Sequence, residues 1–161
     1  MLFQSKGEPL VAAMSGHVVA IGDVDEPIFS GKVIGDGVAI IPVDGEAVAP
    51  LSGIVSFVGD QKHTYGITGY DGLEVLLHIG IDTVKLNGEG FTPHVKKGDR
   101  VSVGSPLCTV DLKLLKDRGF DVTSPLVITS QSVDKVKRLT LRTGDAKAGE
   151  TVVMRYTLVK K

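Results

Sequence analysis

Glycine enters this sequence as single residues set between short runs of valine, isoleucine and leucine, and that arrangement limits the fold more than any other feature. There are 20 glycines in 161 residues. Glycine weakens the interior of a helix, but at the end of a short apolar run it supplies the backbone freedom of a tight turn. The runs at 10–13, 17–21, 38–41, 47–50, 54–58, 73–81, 101–103, 107–110, 122–128 and 151–158 read as strands separated by turn signals. Strands at this spacing predict an all-β, antiparallel β-sandwich of barrel-sandwich type.

Helix signals are few. Asp111 is placed to cap a short helix over 112–117, with Gly119 to end it, and 132–139 is a weaker candidate. One or two short helical turns are expected. Ala13-Met-Ser-Gly-His-Val18 echoes Pro50-Leu-Ser-Gly-Ile-Val55, as though two similar β-corners face each other. Residues 1–9 are polar and expected to be loose. No linker or shift in composition divides the chain, so 1–161 is expected to be one domain.

Composition removes several classes of function. Apolar residues make up 42% and charged residues 23%, a balance that builds a core. With no tryptophan, that core must be mostly aliphatic. The formal charge is −1, and lysines and arginines are scattered among acids, which speaks against nucleic acid. The short basic run at 135–138 reads as a solvated face. Cys108 is the one cysteine, so no internal disulfide can form, and its apolar surroundings predict a buried, inert thiol. No apolar run is long enough to span a bilayer and no cleavable leader opens the sequence, which gives the expectation of a cytoplasmic protein.

Of the four histidines, His63 and His78 are set apart by their place around Tyr70-Asp71-Gly72. Asp-Gly between β-rich runs signals a hairpin. A two-residue turn there sets His78 opposite Tyr65 and makes His63 its diagonal neighbour. A four-residue turn sets His63 directly opposite His78. Any even loop puts both on one face, and an odd loop separates them. Along 73–82, Leu73, Val75, Leu77, Ile79 and Ile81 form an apolar face. Glu74, Leu76, His78, Gly80 and Asp82 form the other, with Tyr65 and Ile67 expected opposite them. His17 and His94 read as surface residues.

Two adjacent imidazoles allow three readings. One ring nitrogen can attack phosphorus while the second ring donates to the phosphoryl oxygens. The pair can instead join a carboxylate as metal ligands, although no compact ligand motif is present. Or they are two surface histidines on a sheet.

The run Val75-Leu-Leu-His-Ile-Gly-Ile-Asp-Thr-Val-Lys-Leu-Asn-Gly-Glu-Gly-Phe91 resembles the phosphorylation-site signature of glucose-type enzyme IIA proteins of the phosphoenolpyruvate-dependent sugar phosphotransferase system. Pro27-Ile-Phe-Ser-Gly-Lys-Val-Ile-Gly-Asp-Gly37, Lys62-His63, Val95-Lys-Lys-Gly-Asp-Arg-Val101 and Thr123-Ser-Pro-Leu-Val127 extend the likeness over 9–158. The resemblance implies an antiparallel β-sandwich that needs no cofactor or metal. His78 would be the phosphorylated nucleophile and His63 the group that stabilises the phosphoryl. Asp36, Asp82, Gly80 and Gln61 would belong to the pocket, and Ile28, Phe29, Val33 and Ile34 to an apolar docking patch. It implies the phosphocarrier HPr as donor, a cysteine of an enzyme IIB domain of a sugar permease as acceptor, and regulated enzymes that bind in one phosphorylation state. Gln61 departs from the pattern, which often has Thr two residues before the first active histidine. A carrier module of the biotinyl or lipoyl type shares the look of Val95–Leu107 and of 50–55, but Lys62 lacks the Met or acidic neighbours of a modified lysine.

Overall fold

Antiparallel pairing organises the whole chain in a computed structural model that describes residues 7–160. Eight strands form the largest sheet, in the order Gly144–Ala146, Gly16–Ala20, Gly35–Pro42, Ser124–Thr129, Glu74–His78, Thr64–Gly69, Gly53–Val58 and Arg100–Val101. Two three-stranded sheets complete the sandwich. One is Glu8–Val11, Val152–Leu158 and Val136–Leu141; the other is Glu46–Val48, Pro106–Val110 and Phe91–Pro93. Every ladder among the described residues is antiparallel. The β-sandwich expected from the glycine-spaced runs is the fold.

Three differences from the sequence reading have physical causes. Glu8 and Pro9 are not loose: they pair with Tyr156 and Arg155 in an edge ladder, while residues 1–6 lie outside the described residues. The weaker helix candidate over 132–139 is split. A single turn, Ser130–Val133, is followed by the strand Val136–Leu141, because pairing with Val152–Leu158 sets Leu139 opposite Tyr156 and outweighs local helix propensity. A further turn, Pro27–Ser30, was not expected. Pro27 starts it and the Glu26 carboxylate accepts a hydrogen bond from Ile28 N at 2.8 Å, which is an N-cap signal present in the sequence. The helix Leu112–Asp117 forms as expected, with the Asp111 carboxylate accepting from Leu114 N at 3.1 Å.

The two Ser-Gly echoes do face each other. Val11 N donates to Pro50 O at 3.0 Å and Val48 N donates to Ala13 O at 2.8 Å. Gly16 and Gly53 each begin a strand so close to its neighbour that a side chain would collide with a carbonyl oxygen, that of Ile41 and that of Thr68 respectively.

Packing divides into two apolar clusters. The larger lies between the sheets and includes Leu10, Ile40, Tyr65, Leu77, Phe91, Cys108, Leu126 and Tyr156; Cys108 is buried there as a thiol. The smaller, Ile21, Val24, Phe29, Ala39, Ile81 and Val127, covers the outer face of the large sheet. Val127 and Leu76 pair across two central strands and turn to the smaller cluster, while Leu126 and Leu77 turn to the larger.

Alanine at Gly53 forces the two strands apart and is expected to cost about 1–3 kcal/mol, the usual range for overpacking. Urea unfolding measures it; an unchanged midpoint would show that the corner has room for a methyl group.

Candidate active site

The two histidines meet where their strands stop. The Glu74–Thr68 ladder runs Tyr65 opposite Leu77 and Thr64 opposite His78, so the hairpin loop is odd in length. Tyr70, Asp71 and Gly72 make the loop. Gly69 N donates to Leu73 O at 2.8 Å and Gly72 takes φ +90°, the left-handed residue that a three-residue loop requires. Asp71 supports it, accepting from Leu73 N at 3.1 Å and from the Tyr156 hydroxyl at 2.6 Å. The even-loop argument for the histidine pair is therefore wrong. Tyr65 and Ile67 belong to the main core and not to the face of His78.

The imidazoles nonetheless lie 4.8 Å apart, centroid to centroid, at 86°. His78 is the last residue of its strand, and His63 precedes the first residue of Thr64–Gly69. The ring of His63 approaches Phe91 of the larger cluster at 6.4 Å, and that of His78 meets Phe29 of the smaller one edge-on at 5.1 Å. Each ring thus comes from the side of the sheet that the odd register gives it. They touch around the end of the sheet, beyond the ladder.

Backbone geometry sets both rings. Lys62 takes φ +67°, and its carbonyl accepts from the fully buried Tyr65 hydroxyl at 2.8 Å. His63 O then accepts from Ile79 N at 2.8 Å, tying the two strand ends. After His78 the chain turns through Gly80 at φ +77°. A Cβ at Gly80 would stand 2.5 Å from the Thr83 methyl, so only glycine fits. Gly80 O lies 2.7 Å from His78 Nδ1. A carbonyl can only accept, so Nδ1 carries the proton and Nε2 keeps a free lone pair.

Burial holds both imidazoles neutral. Desolvation first, then the neighbouring His78, lowers the His63 pKa from 6.5 to about 4, with the Gln61 backbone opposing. Desolvation also lowers His78, against the opposing effects of the Gly80 carbonyl and the Asp82 carboxylate. His63 Nδ1 is buried with no hydrogen-bond partner, so the Gln61 side chain does not bond to it.

A groove of about 220 Å³ opens beside His78, lined by Glu26, Ile28, Phe29, Ile34, Leu76, Ile81, Asp82 and Val84. Asp82 is among its lining residues. Asp36 is not. It pairs with Ile128 of the larger cluster and lines a separate groove with Val133, Val136, Lys137 and Leu139, on the other side of the sheet. The second acid that reaches the groove is Glu26, missed in the sequence although its position before Pro27 marks it as a helix cap. Ile28 and Val33 are exposed at 49% and 64%, with Val33 outside the groove lining, and Val84, at 48%, adds an exposed apolar side chain that sequence reasoning passed over. Phe29 is buried beneath the groove and acts as a wall for His78 rather than as an exposed contact. Glu74 is occupied elsewhere, accepting from Ser56 at 3.1 Å. Among the described residues no three His, Cys, Asp or Glu side chains converge so as to hold a metal ion. No helix among them is long and apolar enough to cross a membrane.

An antiparallel sandwich with two neutral imidazoles at the edge of an apolar groove defines a class of site suited to group transfer. Comparison with known proteins specifies it. Residues 8–133 match the family model of the phosphoenolpyruvate-dependent sugar phosphotransferase system, EIIA 1. The chain is 43% identical over 145 residues to the glucose-specific EIIA component of Halalkalibacterium halodurans, covering 89% of this chain and 83% of that one. It is 38% identical over 148 residues to the glucoside-specific EIICBA component of Staphylococcus carnosus, covering 92% of this chain and 21% of that one. The chain thus spans about a fifth of the length of the fused relatives it matches. Glucose permease IIA of Mycoplasma capricolum has the same fold, with a TM-score of 0.83 and 34% identity over 96% of this chain and 99% of that one. The chain belongs to the EIIA 1 family of the phosphoenolpyruvate-dependent sugar phosphotransferase system.

The depressed His63 pKa has a consequence for stability. The unfolded chain takes up a proton near pH 6.5, whereas the folded one resists until about pH 4. Stability from this group is complete above pH 6.5 and falls as the pH drops from there to about 4, by on the order of 3 kcal/mol. Denaturation midpoints from pH 7.5 to 4 should fall less steeply in His63→Gln than in the parent. Equal slopes would show that His63 titrates alike in both states.

Proposed function

We propose that this chain accepts a phosphoryl group on His78 Nε2 from phospho-HPr and passes it to a cysteine of an enzyme IIB domain. The observation that carries the reading is the 2.7 Å contact of His78 Nδ1 with Gly80 O beside a second imidazole at 4.8 Å. The fixed tautomer presents Nε2 as the nucleophile. Its lone pair forms the new N–P bond as the donor's P–N bond breaks and the donor imidazole keeps the bonding pair. The positive charge that develops on the His78 ring is shared through Nδ1–H with the Gly80 carbonyl.

His63 serves the phosphoryl oxygens. In the free protein it is neutral and does not repel a neighbouring imidazolium. A phosphoryl dianion beside it favours its protonated form, the reverse of its condition in the free site. It therefore gains charge when charge is needed, and gives it up as the group leaves for the acceptor.

Ile28, Val33, Ile34 and Val84 form an apolar surface on which donor and acceptor can dock in turn, with Glu26 and Asp82 at its rim. Names of relatives such as EIICBA, in which A is joined to C and B, support a IIB partner. Such a carrier works in the cytoplasm, and 1–161 serves as one IIA domain. The sugar is glucose or a glucoside on the likeness to relatives so named. Phosphorylation adds charge to the docking face, so an enzyme held by the apolar surface would be released on phosphorylation. Equal binding of both forms to such an enzyme would remove the switch.

Intact mass after incubation with phosphoenolpyruvate, enzyme I and HPr tests the transfer. One acid-labile phosphoryl group is expected on His78, absent in His78→Ala. His63→Ala should accept the group but fail to pass it to IIB. Acceptance by His78→Ala equal to that of the parent would move the site elsewhere. Val84→Asp should raise the KM for phospho-HPr at least tenfold with kcat within about twofold, since the change touches docking and not the reacting atoms. An unchanged KM would take Val84 out of the docking surface.

A further inference from the structure

The hydrogen bond that fixes His78 is itself fixed from the neighbouring strand. Ser124, the first residue of Ser124–Thr129, is fully buried. Its hydroxyl accepts from Gly80 N at 3.1 Å and donates to Val122 O at 2.9 Å. The segment after His78 has two backbone ties on either side: Ile79 N to His63 O at 2.8 Å and Ile81 N to Asp121 O at 2.9 Å. Thr83 adds a hydroxyl bond to Ile79 O. Between these ties, the Ser124 hydroxyl takes the Gly80 N–H and supplies the donor to the Val122 carbonyl. A hydroxyl can satisfy both because it donates and accepts at once. An aliphatic side chain would leave two buried backbone groups unpaired.

We propose that Ser124 is the positioning residue that sets the tautomer of His78. Its hydroxyl holds the 79–80 peptide by the Gly80 N–H, and Ile81 N bonded to Asp121 O holds the 80–81 peptide that carries the Gly80 carbonyl. The left-handed turn fixed between them aims that carbonyl at Nδ1, which keeps the lone pair on Nε2. Ser124 does not touch the reacting atoms. Without its hydroxyl the buried Gly80 N–H and Val122 carbonyl lose their partner, the turn shifts to satisfy them, the Gly80 carbonyl leaves Nδ1, and the ring proton redistributes between the two nitrogens. The importance of this for catalysis rests on the phosphoryl-transfer reading above, whereas the tautomer itself does not.

The test compares Ser124→Ala, Ser124→Thr and Ser124→Val in the full chain. Thr and Val have the same shape, so that pair isolates the hydroxyl where added volume strains the site. Nitrogen-15 NMR of the histidines, recorded with no donor present, reads the tautomer of His78, and the signals of His17 and His94 report whether each variant is folded. The parent and Ser124→Thr should show Nδ1 protonated and Nε2 bare, and Ser124→Ala and Ser124→Val a mixture. Phosphorylation by phospho-HPr should slow about 10–100-fold in Ala and Val, the range found when the group orienting a reactive metal-bound imidazole is removed. KM should be unchanged and the rate restored in Thr. A parent tautomer in folded Ala or Val variants would overturn the proposal. A parent His78 that never takes a phosphoryl group would overturn the transfer reading alone, since the tautomer comparison would still decide the role of Ser124.

Discussion

A single contact, the 2.7 Å hydrogen bond from His78 Nδ1 to Gly80 O, sets the conditions that the rest of the site must meet. It spans only two residues, so the backbone must reverse at once after the strand ends. That reversal needs a left-handed residue, and the Thr83 methyl leaves room for glycine alone. Tight reversal in turn leaves the amides of 79–81 pointing away from any ladder. His63, Ser124 and Asp121 each take one of them. The local sequence Ile79-Gly80-Ile81-Asp82-Thr83 is therefore a structural unit, and each position in it has a physical task.

Desolvation and geometry work together at the two imidazoles. Burial alone would make both rings neutral and leave the tautomer open. Hydrogen bonding alone, at an exposed site, would fix the ring but leave it half protonated near pH 6.5. Combined, they leave one bare nitrogen facing the groove at neutral pH. The cost is an unpartnered Nδ1 on His63, a buried polar atom of the kind that folded proteins tolerate where a site must change its bonding.

The fold was legible in the sequence because strand periodicity and glycine-closed runs report it directly. The site was legible in part, and for reasons that need sorting. Apolar alternation from Leu73 to Ile79 correctly assigned the inward and outward faces of the strand carrying His78, but Ile81, past the turn at Gly80, joins the smaller cluster on the other face. The pairing of the histidines was reached by an argument about loop parity that the three-residue loop contradicts. Parity governs residues inside a ladder, and His63 stands outside one, past a left-handed Lys62 that no local pattern announces. Asp36 was drawn to the pocket by the family resemblance and not by any pattern of its own, but the strand Gly35–Pro42 turns it to the other face. Glu26 and Val84 were overlooked because they sit in short turns, where a period of two carries no information. Ser124 is hidden for another reason: its partner Gly80 is 44 residues away, a distance that only tertiary structure closes.

The smaller apolar cluster bears on how this surface behaves over time. Six buried residues support the groove, separated by the large sheet from the thirty that fill the interior of the sandwich. A satellite layer of that size is expected to open at a lower free energy than the main core, with Ala39 and Val127 held in the sheet beneath it. The face with Ile28 and Phe29 can then repack on the timescale of local opening while the sheet behind it stays intact. Rigidity is concentrated behind the imidazoles and compliance in front of them, which lets one reactive nitrogen keep its aim while the surface around it fits more than one shape.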